Sequence, residues 1–166
     1  LHPNFIQDHI NNSQENYFIQ GTRVLLTQDK TQQIFDTKRI SFSFFSSGIK
    51  NRINAIHSNL LSKFFSTKKN YIHGIKSCNM SFYKKDCINV NGFNNQIEGW
   101  GREDSEFIVR LINSGIHRKN IRFNALQFHL WHDDNSRDSL DQNNLILNEA
   151  HNKHMQWCVD GINRYL

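Results

Sequence analysis

Gly99-Trp100-Gly101-Arg102-Glu103-Asp104-Ser105-Glu106 sets two adjacent carboxylates on a Gly-Trp-Gly turn at the point where a helix begins. Downstream, Phe107, Ile108, Leu111 and Ile112 recur at helical spacing, Arg110 follows Glu106 by four residues, and Gly115 is placed to end the helix in a left-handed conformation. The acids therefore fall in the helix's first turn. The glycines let the chain turn tightly and let a ligand come close, and Trp100 offers a flat apolar face of the kind on which sugar rings stack. Carboxylates in a first turn are common, stabilised there by roughly 0.3–1 kcal/mol. Taken alone, Glu103-Asp104 reads as a cap before it reads as a catalyst.

The 166 residues suit one compact domain, 1–166, of basic α/β character. A formal charge of +5 and a pI near 9.2 favour anionic partners such as nucleotide diphosphates or lipid headgroups. The cations fall in short groups, Lys68-Lys69, Lys84-Lys85 and Arg118-Lys119, without a zinc-finger, RNP or helix-turn-helix pattern, so nucleic acid is not the expected partner. Cys78, Cys87 and Cys158 form no CxxC pair and no metal-ligand spacing; a disulfide framework is not expected and a reducing cytoplasm fits. No apolar run approaches the roughly 20 residues of a membrane span, so the expected location is cytoplasmic, at most peripheral on the inner face of the membrane.

Working outward, residues 1–16 suggest a short helix, and Tyr17 to Leu26 a strand rich in β-branched and aromatic residues. A loop is expected around Gln28 to Thr31. Ile40 to Phe45 fits either a strand or an extended loop. From Ile49 to Phe65 the apolar residues follow helical spacings with cations interleaved, predicting an amphipathic helix that packs on the core or docks at an anionic membrane. Beyond Gly115 come a basic linker, 116–120, and two β-like pieces, 121–123 and 126–132. In the second, His129 points away from the apolar face of Leu126, Phe128 and Leu130. A polar loop, 133–139, precedes a tail, 140–165, that reads as helical.

Upstream of the turn, Gly74 to Asp86 with its Cys78-Asn79-Met80-Ser81-Phe82 core leads into Val90-Asn91-Gly92-Phe93-Asn94. This order resembles the C-terminal half of the catalytic domain of inverting, family-2-type glycosyltransferases, the bacterial relatives of the galactosyltransferase and chondroitin polymerase group. The resemblance runs from Leu1 to the Cys158-Val159-Asp160-Gly161 ending and is strongest between Gly74 and His132. It implies a partial GT-A domain, a mixed sheet with flanking helices, whose N-terminal nucleotide-binding half and Asp-x-Asp motif are not in this sequence. It further implies metal-dependent transfer of a hexose or N-acetylhexosamine from a UDP-sugar to a glycan or lipid-linked glycan acceptor, in polysaccharide, capsule or lipopolysaccharide synthesis.

Carried over residue by residue, the resemblance makes Asp104 the base and Glu103 its neighbour orienting the acceptor. The residues themselves offer Trp100, Gly99, Gly101, Arg102 and Asn79 as the substrate-binding set, the Asn79 amide suiting either a sugar hydroxyl or a turn cap. It places a divalent ion, Mn2+ or Mg2+, on a histidine beyond the helix, His129 in preference to His132. Any one of nine histidines is by itself more often a surface or core residue. Arg102 stands where the family more often has Gly, which points to an anionic or phosphorylated acceptor. The alternative is a non-catalytic module that binds carbohydrate or nucleotide without the donor half.

Overall fold

A computed structural model describes residues 1–166. In chain order its elements are α1 (Phe5–Asn12), β1 (Tyr17–Gln20), β2 (Arg23–Leu26), α2 (Gln28–Thr37), β3 (Ile49–Lys50), α3 (Asn59–Phe65) and β4 (Thr67–Lys68). There follow β5 (Met80–Ser81), α4 (Lys84–Asn89), α5 (Glu103–Asn113), β6 (His117–Asn120), β7 (Gln127–His129) and α6 (Leu140–Asn152). One sheet has the order β4-β6-β1-β5 and the other β3-β2-β7, which is the mixed α/β class expected. Two compact units result: Leu1–Ser13, Ile19–Thr67 and Lys119–Asp133 form the first, and Gln14–Phe18, Lys68–Arg118 and Asp134–Leu166 the second.

In the first unit β2 is central, antiparallel to β3 with Leu26 opposite Ile49, and parallel to β7 with Leu25 opposite His129. Val24, Leu26, Ile34, Ile49 and Ala55 form its core, with Phe42 and Phe128 packed against them. Several sequence expectations are corrected here. Tyr17 to Leu26 is two strands in separate sheets, broken at Gly21-Thr22. Gln28 to Thr31 is not a loop but the start of α2, capped by Thr27, whose Oγ1 accepts the Lys30 N–H at 3.4 Å. The helix predicted over 49–65 is broken into β3, a 3₁₀ turn at Arg52–Ala55 and α3. Asn51 turns left-handed at φ 56° and Ser58 caps α3 through Leu61 N–H, so no single helix can pass through both. Residues 117–120 of the supposed linker form a strand, 121–123 do not because Phe123 adopts φ 62°, and the helical tail expected over 140–165 ends at Asn152; of the two readings open for Ile40 to Phe45, the loop holds.

The second unit is built on α5. Phe107, Ile108 and Leu111 are fully buried with Phe18 and Val90, while Val109 packs on Leu147 and Ala150 of α6. Gly115, at φ 85°, follows the helix as predicted. Arg110 is fully buried on this helix: its Nε and Nη2 donate to the Glu106 carboxylate at 2.8 Å each, Nη2 to Gly92 O at 2.7 Å, and Nη1 to Val90 O.

Removing one member of such a pair leaves an uncompensated buried charge, a loss of about 3–5 kcal/mol. Glu106→Ala should therefore lower the urea midpoint by that equivalent, with an unchanged m-value.

Candidate functional site

The turn 98–102 takes its shape from α6. Asn143 Nδ2 donates to Glu98 O and Gly101 O at 2.9 Å each, and Arg102 Nε donates to Asn144 Oδ1 at 2.6 Å. Gly99 and Gly101 lie at φ 69° and 102°, and a Cβ on either would come within 3.1 Å of Ser139 Oγ or Leu140 Cδ1. Here glycine answers both a backbone and a packing demand. Arg102 precedes α5 at φ 79°, a left-handed conformation that glycine adopts without strain, which explains in physical terms why glycine is the expected residue there.

At the start of α5 the three acids divide by task. Glu106 is buried in its pair with Arg110. Asp104 is half-buried: Oδ2 accepts the Ser77 N–H at 3.3 Å and Oδ1 the Ser105 hydroxyl at 3.2 Å, so its carboxylate is fixed in direction while part of it meets solvent. Glu103 is half-buried, with Oε2 shielded from water and unpaired. Trp100 is 41% exposed, with the Arg137 guanidinium 5.1 Å from its ring centroid. Asn79 is buried, 1% exposed, two residues from Ser77, and presents almost no surface to a ligand. Thus the structure brings together Gly99 to Asp104 and adds Ser77, Arg137 and Asn143, which sequence reading missed.

The histidines belong to the first unit. His129 on β7 is half-buried and His132 exposed; their Nε2 atoms lie 3.2 Å apart with the rings inclined at 64°. His132 Nδ1 contacts Asp133 O at 2.8 Å, and since a carbonyl can only accept, Nδ1 carries the hydrogen and Nε2 offers its lone pair. Burial first, then Arg23 and His132, pushes the His129 pKa below 6.5 and favours the neutral ring that a metal needs. Two nitrogens each about 2.1 Å from one ion stand roughly 3 Å apart, so this pair fits part of a coordination sphere.

A second group, His2, Asp8 and His57, is also close enough to consider. Its chemistry differs. The two rings stack nearly parallel, 12° between planes and 4.4 Å between centroids, so their in-plane lone pairs run side by side instead of converging on one ion. Asp8 is already occupied: Oδ2 accepts the Ala125 N–H at 2.8 Å and contacts His57 Nε2 at 3.0 Å. That group is a brace for the turn before β7.

The family model described as the N-terminal domain of galactosyltransferase matches residues 59–132, a segment that contains every residue of the predicted site. Chondroitin sulfate N-acetylgalactosaminyltransferase 1 of mouse, and that of human, are each 36% identical over 58 residues. Over these segments the chain is similar to glycosyltransferases of the galactosyltransferase group. The aligned stretch is 35% of this chain and 11% of either relative, so the chain spans a small part of those enzymes' length. Both relatives are mammalian, and the bacterial, capsule and lipopolysaccharide setting expected for a glycosyltransferase of this sequence draws no support from them.

Because the native pKa of His129 lies below the unfolded value, the unfolded chain binds more protons between the two, and stability rises with pH across that window. His2, lowered by burial and then by His57, acts in the same direction. Stability should therefore fall as pH drops through about 6.5, and His129→Gln should make that acid-side slope shallower in urea titrations at stepped pH.

Proposed function

We propose that this chain is the acceptor-binding and catalytic-base portion of an inverting glycosyltransferase domain of GT-A type. It acts with a UDP-sugar donor, a hexose or N-acetylhexosamine, and a glycan or lipid-linked glycan acceptor. The observation that carries this reading is Asp104, oriented by Ser77 and Ser105 at the head of α5, beside an exposed Trp100 and inside the segment that matches the family.

Inversion needs one in-line displacement. The acceptor hydroxyl oxygen forms a bond to the anomeric carbon as the bond from that carbon to the diphosphate oxygen breaks, and the electron pair leaves with UDP. Asp104 takes the hydroxyl proton as the nucleophile forms, a task for which a directed carboxylate with solvent access is suited. Trp100 supplies a face on which the acceptor ring stacks, and the glycines beside it keep that approach open. Glu103, one residue before the base, orients acceptor hydroxyls. A divalent ion, Mn2+ or Mg2+, held by His129 and His132 would offset the charge growing on the diphosphate. Arg102 and Arg137 flank the Trp100 turn with two guanidinium groups, which supports an acceptor that carries negative charge.

Two variants in the full-length protein separate these roles. Asp104→Asn should cut UDP release from donor plus acceptor by about 10²–10⁴-fold, the usual scale of a lost general base, with metal-dependent UDP binding retained. His129→Ala should instead weaken Mn2+-dependent UDP binding and leave acceptor binding nearly intact. Unchanged turnover in Asp104→Asn would remove the base assignment.

A further inference from the structure

From Thr37 to Lys85 the chain carries ten lysines and arginines and not one aspartate or glutamate, while the remaining residues hold ten basic and all fifteen acidic side chains. A stretch this segregated in charge favours a partner of opposite sign. Within the first unit, the loop between α2 and the 3₁₀ turn at Arg52–Ala55 concentrates the feature. Lys38, Arg39, Lys50 and Arg52 are all exposed, and no carboxylate of the chain pairs with any of them.

Apolar side chains share that loop. Phe45 is 87% exposed at its tip, and Ile40, Ile53 and Phe44 are also exposed. The tip is held in place. Arg52 Nη1 donates to Phe44 O at 2.9 Å and Ser46 O at 2.7 Å, Ser46 N–H donates to Ser43 O at 3.0 Å, and the Phe44 and Phe45 rings meet edge to face at 5.2 Å. At the loop's base Phe42 packs against Phe128, 4.9 Å between centroids, and Thr27 N–H donates to Gly48 O at 3.0 Å. The loop thus already has its core anchor in Phe42, and Phe45 makes only the edge-to-face contact with Phe44 at the exposed tip.

We propose that this loop docks on an anionic lipid bilayer, with Phe45, Phe44 and Ile40 entering the interface and the four cations meeting headgroup phosphates. Aromatic and aliphatic groups set among unpaired cations are what an interfacial anchor requires, since apolar burial and attraction to anionic lipid act together. Aliphatic Ile40 gains by entering hydrocarbon, whereas a nucleic-acid platform needs stacking rings. A second copy of the same surface would bring like charges together. No helix is long and apolar enough to cross a membrane.

Cosedimentation with vesicles tests this, using equal parts phosphatidylglycerol and phosphatidylcholine against phosphatidylcholine alone. The chain should sediment with the anionic vesicles only, and less as salt rises. Phe45→Ser should weaken that binding roughly tenfold and Lys50→Glu about fivefold or more, both with unchanged thermal unfolding because the side chains are exposed. Phe45→Leu, which keeps an apolar anchor, should bind much as the parent does. Failure to bind anionic vesicles would overturn the proposal. So would binding indifferent to Phe45→Ser, or polyuridylate that displaces the vesicles and itself needs Phe45.

Discussion

A single buried guanidinium fixes the geometry on which the candidate site depends. Arg110 ties its own helix, through Glu106, to the carbonyls of Val90 and Gly92, and Asn94 Nδ2 adds a donor to Glu106 Oε1 at 3.3 Å. Placing two charges out of water is costly, and such a pair is sustained only where the remaining donors and acceptors are also met. Here four of the five guanidinium hydrogens have identified acceptors, counting Nε, Nη1 and both directions of Nη2. The stretch 90–94 is held in turn. Asn91 Nδ2 donates to Cys158 O at 2.7 Å and its backbone oxygen accepts the Ile162 N–H at 2.8 Å, so the C-terminal turn is tied to the same point.

The same pair sorts the acids of α5. Glu103, Asp104 and Glu106 all lie in its first turn and look equivalent as letters. Glu106 faces inward with the apolar stripe of Phe107 and Leu111 and is consumed by Arg110. The other two fall on the sector where Ser77 and the Gly-Trp-Gly turn meet the helix. Because Glu106 carries the structural pairing two residues further on, Asp104 keeps part of its carboxylate in solvent without loosening the helix that carries both.

Legibility followed the periodicity of burial. α5 was readable because one face is buried and the other is not, and its closing Gly115 is required by φ. α2 was not, since Gln28–Thr37 offers only Ile34 and Phe35 as apolar markers and is specified by the Thr27 cap. The stretch 49–65 misled in the opposite sense: its apolar residues fall at helical intervals, yet Ile49 is drawn into pairing with Leu26 and Asn51 turns the chain away. Among the candidate residues, the acids, Trp100 and the His129-x-x-His132 pair are local patterns and could be seen. Ser77, 27 residues from Asp104, and Asn143, 42 residues from Gly101, carry no local signal.

Two histidine groups in one unit show why residue type is a weaker guide than ring orientation. His129 and His132 incline their planes and turn their Nε2 atoms on one another, with His132 oriented by a backbone carbonyl as metal-binding imidazoles commonly are. His2 and His57 lie face to face over Asp8, whose oxygens support the left-handed Ala125, φ 49°, two residues before β7. Composition would rank the second group higher, because it includes a carboxylate. Geometry reverses the ranking: the stacked group holds the turn, the turn sets the register of β7 on β2, and that register places His129 opposite Leu25 with its ring directed at His132.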